Sequence, residues 1–336
     1  MAATDYYVTT TGATTKDGLT WATAFDHPAF LTDLTGSQEA GDRYFIKEGA
    51  YSTLTGNETA TAVGTAIAPC EIIGVVSATS AEPPTPSDWA AGDNRPLFQC
   101  AAYYYAFLNY FKVCNIRFTG TGVYIYLSDQ HNIIYNCSAN NSSGTASRFA
   151  HRANDSYAQI VGCDGTSANG YALAVSSYGH ASFCYLHDST VGVLAGPTFS
   201  FSLVQCFIDT CTTGIDIDAK YVASIISNTI YNCTTGITGT TAYTCVFVNN
   251  IIDACTTGAT WTTSNIKNNL WANNFFDSDG TPRNNVDEGH NEQSAASSGM
   301  NDPGADPPDI SITAADTNVA NKGLDVGYIS TVVVDA

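Results

Sequence analysis

The chain is poor in positive charge: 12 Lys and Arg stand against 31 Asp and Glu in 336 residues, a formal charge of −19. Phosphate binding and attraction to anionic membrane surfaces both rely on Lys and Arg, so neither nucleic acid nor such a surface is expected as a partner. Long hydrophobic runs are also missing. Nothing approaches the roughly 18 consecutive apolar residues of a spanning helix, so no membrane insertion is expected. Charge of either sign is sparse at 13%, yet 44% of residues are hydrophobic, too apolar a balance for a disordered chain. Thr, Ser, Asn and Gly fill the remainder, a strand-and-turn composition with little that favours long helices.

The segment Met1 to Val8 lacks both the basic stretch and the apolar core of a secretory signal. This predicts either removal of a signal or assembly in a cytoplasm. Eleven cysteines are present, an odd number, without CxxC or Cys/His zinc spacing. His131, His151 and His180 share no metal-binding spacing either, and no metal site is expected from them.

What the sequence does have is a repeat. Cys211-Thr212-Thr213-Gly214-Ile215 recurs as Cys233-Thr234-Thr235-Gly236-Ile237 and as Cys255-Thr256-Thr257-Gly258-Ala259, 22 residues apart each time. One step earlier lies Ser189-Thr190-Val191-Gly192-Val193, with Ser in place of Cys. Neighbouring columns keep the register: Leu186, Ile208, Ile230, Ile252; Val193, Ile215, Ile237, Ala259; and Val204, Ile226, Val248. Cys184 and Cys206 are followed at the same step by Asn228 and Asn250.

A unit this short cannot hold paired helices, and segments such as Ile215-Asp216-Ile217-Asp218 alternate as strands do. One unit cannot bury its own apolar face, whereas stacked units bury a continuous column. The Leu-x-x-Leu-x-Leu pattern of leucine-rich repeats is missing. The prediction is an all-β, single-stranded right-handed parallel β-helix of about 22-residue coils, each column rising about 4.8 Å per coil. Cys114, Cys137, Cys163, Cys184 and Cys206 extend the ladder N-terminally with steps of 23, 26, 21 and 22, the unevenness marking loops at a bend. Stacked cysteines would have parallel Cβ vectors, so packed free thiols are expected rather than disulfides. The expected organisation is an N-terminal cap over 1–68, the β-helix over 69–276 and an irregular C-terminal cap over 277–336.

Asp5-Tyr6-Tyr7-Val8, Trp21-Ala22-Thr23-Ala24-Phe25 and Gly41-Asp42-Arg43-Tyr44-Phe45-Ile46-Lys47-Glu48-Gly49-Ala50-Tyr51 resemble the opening of many bacterial and phage β-helix proteins of the pectin-lyase-like fold. In those a strand and a short helix cover the first coil. Here the helix falls at Pro28 to Leu34, with Asp26 as its cap and Pro28 at an early position. Asn301-Asp302-Pro303, Asp309-Ile310-Ser311-Ile312 and Gly323-Leu324-Asp325-Val326-Gly327 are similar to the families' closing segment. Ala81-Glu82-Pro83-Pro84-Thr85-Pro86 reads as a Pro-rich surface loop.

The fold hosts lyases, hydrolases, tailspikes and structural virion proteins, so the site has to decide. Pectin-cleaving hydrolases of the fold carry Asn-Thr-Asp, Asp-Asp, Gly-His-Gly and Arg-Ile-Lys segments, of which only Gly179-His180 and Lys267 appear here. The basic cluster of β-helix lyases is missing too. The repeat supplies its own candidates. His187, Asp209, Tyr231 and Asp253 share one column, Asp188 adjoins His187, and Asp216 and Asp218 point to one face of the next strand. A carboxylate beside a histidine, or two carboxylates about 5–9 Å apart, suits acid–base hydrolysis of a glycoside, with His187, Asp209, Asp216 and Asp218 as catalytic candidates. The same column also reads as a solvated outer face. Tyr103, Tyr105, Tyr124 and Tyr126 are candidate sugar-stacking platforms, with core packing the competing role for part of the run. Asp277 and Asp279 open a candidate Ca2+ loop that lacks the closing Glu of an EF-hand.

Three readings follow. The first is a virion-associated phage protein, a capsid decoration or tailspike-like module on the particle surface, contacting other virion proteins and host cell-surface polysaccharide; its homotrimeric state is what the resemblance implies. The second is a secreted polysaccharide-degrading lyase or glycoside hydrolase. The third is a non-catalytic glycan-binding adhesin.

Overall fold

The computed structural model describes most of residues 3–261, apart from 55, 62–63, 102–104, 122–124, 129–130, 143–148, 154–156, 176, 197–199, 218–221 and 240–243. Beyond 261 it describes 270–272, 274–276, 286–287, 292–293, 300–302 and 309–312. The contacts divide the chain into two compact units, Met1–Gly170 and Tyr171–Asp335. Each is a stretch of parallel β-helix with three sheets.

In the first unit, one sheet runs Asp5–Val8, Arg43–Lys47, Cys70–Val75, Phe111–Cys114, Ile133–Tyr135 and Gln159–Val161, all pairs parallel. A second holds Leu97–Cys100, Arg117–Gly120, Ser138–Asn141 and Asp164–Ser167. The third holds Glu58–Thr61, Tyr105–Leu108, Ile125–Ser128 and Phe149–Ala153. The cap helix spans His27–Gly36, and the Asp26 carboxylate accepts from the Ala29 amide at 3.0 Å, supplying a partner that the first helical turn cannot. His27, Phe30 and Leu34 form its buried face, with Phe30 against Tyr44 and Phe98. Gly41 takes φ 87°, and Asp42 behind it is fully buried, its two oxygens accepting from the amides of Thr4 and Glu39 at 2.9 and 2.6 Å. That pair of bonds explains why Gly-Asp opens the solenoid.

The Pro-rich segment does more than loop over the surface. Trp21 and Trp89 pack on the buried cluster Tyr7, Ala24, Phe45, Ile73, Val75 and Cys114. The Trp21 indole N–H donates to the Ala81 carbonyl at 3.0 Å, and its amide donates to Glu82 at 2.6 Å. The segment therefore closes a second apolar cluster.

In the second unit the columns stack as the repeat requires. Leu186, Ile208, Ile230 and Ile252 are successive register partners, as are Val193, Ile215, Ile237 and Ala259. Val204, Ile226 and Val248 follow the same rule. At the bends, Gln205, Ser227 and Asn249 take φ 52°, 56° and 57°, and Thr210, Asn232 and Ala254 take 51°, 52° and 53°. One left-handed residue per corner turns the chain between sheets. Beside the first corner runs an asparagine ladder: the Asn228 carbonyl oxygen accepts from the Cys206 amide at 2.9 Å, Asn250 from Asn228 at 3.0 Å, and Asn274 from Asn250 at 3.0 Å. All eleven cysteines are free and buried. Cys233 is held up to about 12 by its stacked neighbour Cys211 and by burial, which suits a packed free thiol. Met300–Asp302 and Asp309–Ile312 pair antiparallel.

Candidate active site

The central candidates sit in the second unit, on the strands Tyr185–His187 and Phe207–Asp209. Leu186 and Ile208 are fully buried at the strand centres; Tyr185 and His187 are half-buried, whereas Phe207 and Asp209 are buried as well. His187 and Asp209 are direct register partners, as the column predicts. The His187 Nδ1–H donates to Asp188 Oδ2 at 2.8 Å, which leaves Nε2 as the basic nitrogen of the neutral ring. Asp188 takes φ 46°, its amide donates to the Asp209 carbonyl at 3.3 Å, and its own side chain is 65% exposed. The Tyr185 ring stacks on the imidazole, with centroids 4.1 Å apart and an interplanar angle of 12°. The imidazole, its carboxylate partner and a stacked aromatic ring thus come from four consecutive residues.

Asp209 departs from expectation. It is only 8% exposed and does not line an open groove. Thr210, turned into the left-handed region, donates its hydroxyl to Asp209 Oδ1 at 2.7 Å and folds the carboxylate back onto its own bend. Asp253, two coils on, does the same with the Ala254 amide at 2.9 Å. Burial raises the Asp209 carboxyl above the ordinary range, the Thr210 hydroxyl and the His187 ring pull it back, and the Asp188 charge raises it further. Asp209 therefore sits buried on the strand next to that of His187.

Asp216 lies on another sheet, half-buried between Leu194 and Thr238. Asp218, Tyr103, Tyr124, Asp277 and Asp279 lie outside the described residues. Tyr126 sits in strand Ile125–Ser128 opposite Ala106 and Arg152, and its side chain is not described. Tyr105 is a correction. It is 2% exposed, shares a hydrogen bond of 3.1 Å with His27 Nε2 and stacks on Phe98, so it belongs to the core beneath the cap and offers no ring to a sugar. Among the described residues no group of three His, Cys, Asp or Glu is placed to hold a metal ion.

What the repeat did not reveal is a set of aromatic residues at bends of the first unit: Tyr110, His131 and Tyr157. Their uneven spacing, 21 and 26 residues, hid them; the cysteines of the same coils, Cys114, Cys137 and Cys163, step by 23 and 26.

No family model matches the chain, and no curated protein matches it in sequence. Solved structures do match. The pectate lyase Pel9A superposes with a TM-score of 0.60 at 15% identity, over 89% of this chain and 83% of that one. A mannuronic-acid-specific family 6 polysaccharide lyase from human gut microbiota gives 0.54 at 10% identity, over 84% and 78%. A mutant of the family 6 alginate lyase AlyGC gives 0.50 at 10%, over 97% of this chain and 59% of that one. The fold is that of these proteins: a right-handed, all-β parallel β-helix of the pectate-lyase type.

Proposed function

We propose that the chain is a carbohydrate-active enzyme that cleaves a polysaccharide by hydrolysis, with His187 as proton-transferring group and Asp188 as its orienting partner. The observation that carries this reading is the His187–Asp188 pair beside the raised carboxyl of Asp209. A base held in one tautomer by a carboxylate, next to a second carboxyl whose pKa burial raises, is an arrangement that general acid–base catalysis uses. The polysaccharide lyases that share the fold support a polysaccharide as the class of substrate. Lyases in that company act on pectate and mannuronic acid, but the charges around His187 favour hydrolysis. The exposed Asp188 carboxylate would repel a uronate carboxylate, and elimination needs that carboxylate neutralised. The virion reading gains no support from these solved structures.

The test is release of reducing ends from a panel of neutral polysaccharides. His187→Gln is expected to lower the rate by about 10²–10⁴-fold while the far-ultraviolet dichroism stays unchanged. Asp188→Asn, which keeps the shape but weakens the hold on Nδ1–H, is expected to fall in between. Full activity in His187→Gln would overturn the assignment.

A further inference from the structure

The first unit carries an aromatic ladder that the chemistry at His187 does not use. Tyr110, His131 and Tyr157 occupy bends of three coils in left-handed conformation, at φ 54°, 56° and 69°. Aromatic side chains are costly there, and Asn fills comparable corners at Asn115 and Asn136. Strain of this kind persists where a site benefits from it. The rings stack face on face, Tyr110 to His131 at 5.5 Å and 16°, His131 to Tyr157 at 5.1 Å and 9°. Tyr157 is 54% exposed. A solitary exposed ring needs no explanation, but three in register form a platform.

Beside the platform lies a depression of about 150 Å³ lined by Thr65, Pro69, Tyr110, Lys112, His131 and Gln159. That is smaller than the pockets of drug-sized ligands, which start near 300 Å³, and suits one ring-sized unit of a longer molecule. Its polar groups are an ammonium, an amide, a phenol and an imidazole, which can bond hydroxyls in both directions. The Lys112 ammonium already donates to Glu71 at 3.1 Å, so the depression offers no net positive charge. The whole chain, at −19, repels polyanions.

We infer that the Tyr110–His131–Tyr157 ladder and the adjoining depression bind a neutral polysaccharide, one sugar unit seated against Lys112 and Gln159 and its neighbours running along the rings. This rests on the reading of the chain as a polysaccharide-acting protein, and it adds a holding site distinct from the residues that would carry the reaction. The apolar face of a pyranose packs on an aromatic ring while its hydroxyls meet the polar edge.

The test is affinity electrophoresis through gels containing a soluble β-glucan, a galactomannan or an arabinoxylan, with polygalacturonate and alginate as charged counterparts. Retardation is expected in at least one neutral gel and in neither charged one. Tyr157→Asn and His131→Asn are expected to weaken it about tenfold each, a factor that corresponds to about 1.4 kcal/mol. Because Asn tolerates the left-handed region, both variants are expected to unfold at the same denaturant concentration as the parent or higher, which separates lost binding from lost folding. Tyr157→Phe, which keeps the ring, is expected to retain most of the retardation. No retardation in any neutral gel, retardation only by uronates, or unchanged retardation in both Asn variants would each overturn the inference. His187→Gln should bind as the parent does. Retardation without any cleavage by the parent would sink the hydrolase reading and leave the ladder standing.

Discussion

The asparagine ladder of the second unit allows a stability prediction worked bond by bond. Asn250 Oδ1 accepts from the Asn228 amide at 3.0 Å, and its Nδ2 donates to the Ile225 carbonyl and to Asn274 Oδ1, both at 2.9 Å. The side chain is all but fully buried, so water cannot replace these partners. In Asn250→Ala the Asn228 N–H loses its acceptor, a cost of about 1–3 kcal/mol for a buried donor. The two bonds made by Nδ2 contribute about 1 kcal/mol each, net of solvation. The expected loss is therefore about 3–5 kcal/mol, a large share of the 5–15 kcal/mol that holds a typical domain together. Thr234→Ala, at an exposed position of the same unit, is expected to stay within about 0.5 kcal/mol. Urea unfolding followed by far-ultraviolet dichroism reads both. If Asn250→Ala cost less than about 1 kcal/mol, the ladder would be decoration and the account of the corners wrong.

Two further predictions concern the cap and the glycine column. Burial holds His27 down to about 4 against an ordinary 6.5, so the folded state keeps it neutral; stability is complete above pH 6.5 and falls as pH drops toward 4, by about 3 kcal/mol. His27→Gln should flatten that part of the stability–pH curve, and a parallel decline in parent and variant would remove His27 as the cause. At Gly214 an added Cβ would lie 2.5 Å from the Gly236 carbonyl oxygen and 2.6 Å from Ile230 Cγ2. Gly214→Ala should therefore cost at least the 1–3 kcal/mol typical of overpacking, read as a lower urea midpoint, because backbone of the next coil cannot move aside.

The fold was legible because a parallel β-helix writes its register into the sequence. Ile208, Ile230 and Ile252 recur at one step because each sits on the last, and Cys233 falls between Cys211 and Cys255 for the same reason. The helix was legible through Asp26 and Pro28, although it runs from His27 to Gly36, somewhat longer at both ends than its strongest signals. Side-chain exposure was harder to read. Tyr105 and Asp209 both occupy strands, and strand alternation alone does not say that the cap buries the first or that a left-handed Thr210 folds the second inward. The aromatic ladder escaped notice because its members sit at corners, where period-two reasoning does not apply, and because loops of different length separate them. The contact between His187 and Asp188 needs only adjacency in the sequence, and the register pairing of His187 with Asp209 follows from the 22-residue step.

The most direct measurement of the central claim follows the products formed by the parent protein from neutral and uronate polysaccharides, counting reducing ends and recording the ultraviolet absorbance of unsaturated sugars in the same samples. Hydrolysis at His187 predicts reducing ends from a neutral polysaccharide with no unsaturated product. An unsaturated product from a uronate chain would make the protein a lyase, and no product from any substrate would end the case for catalysis at this site.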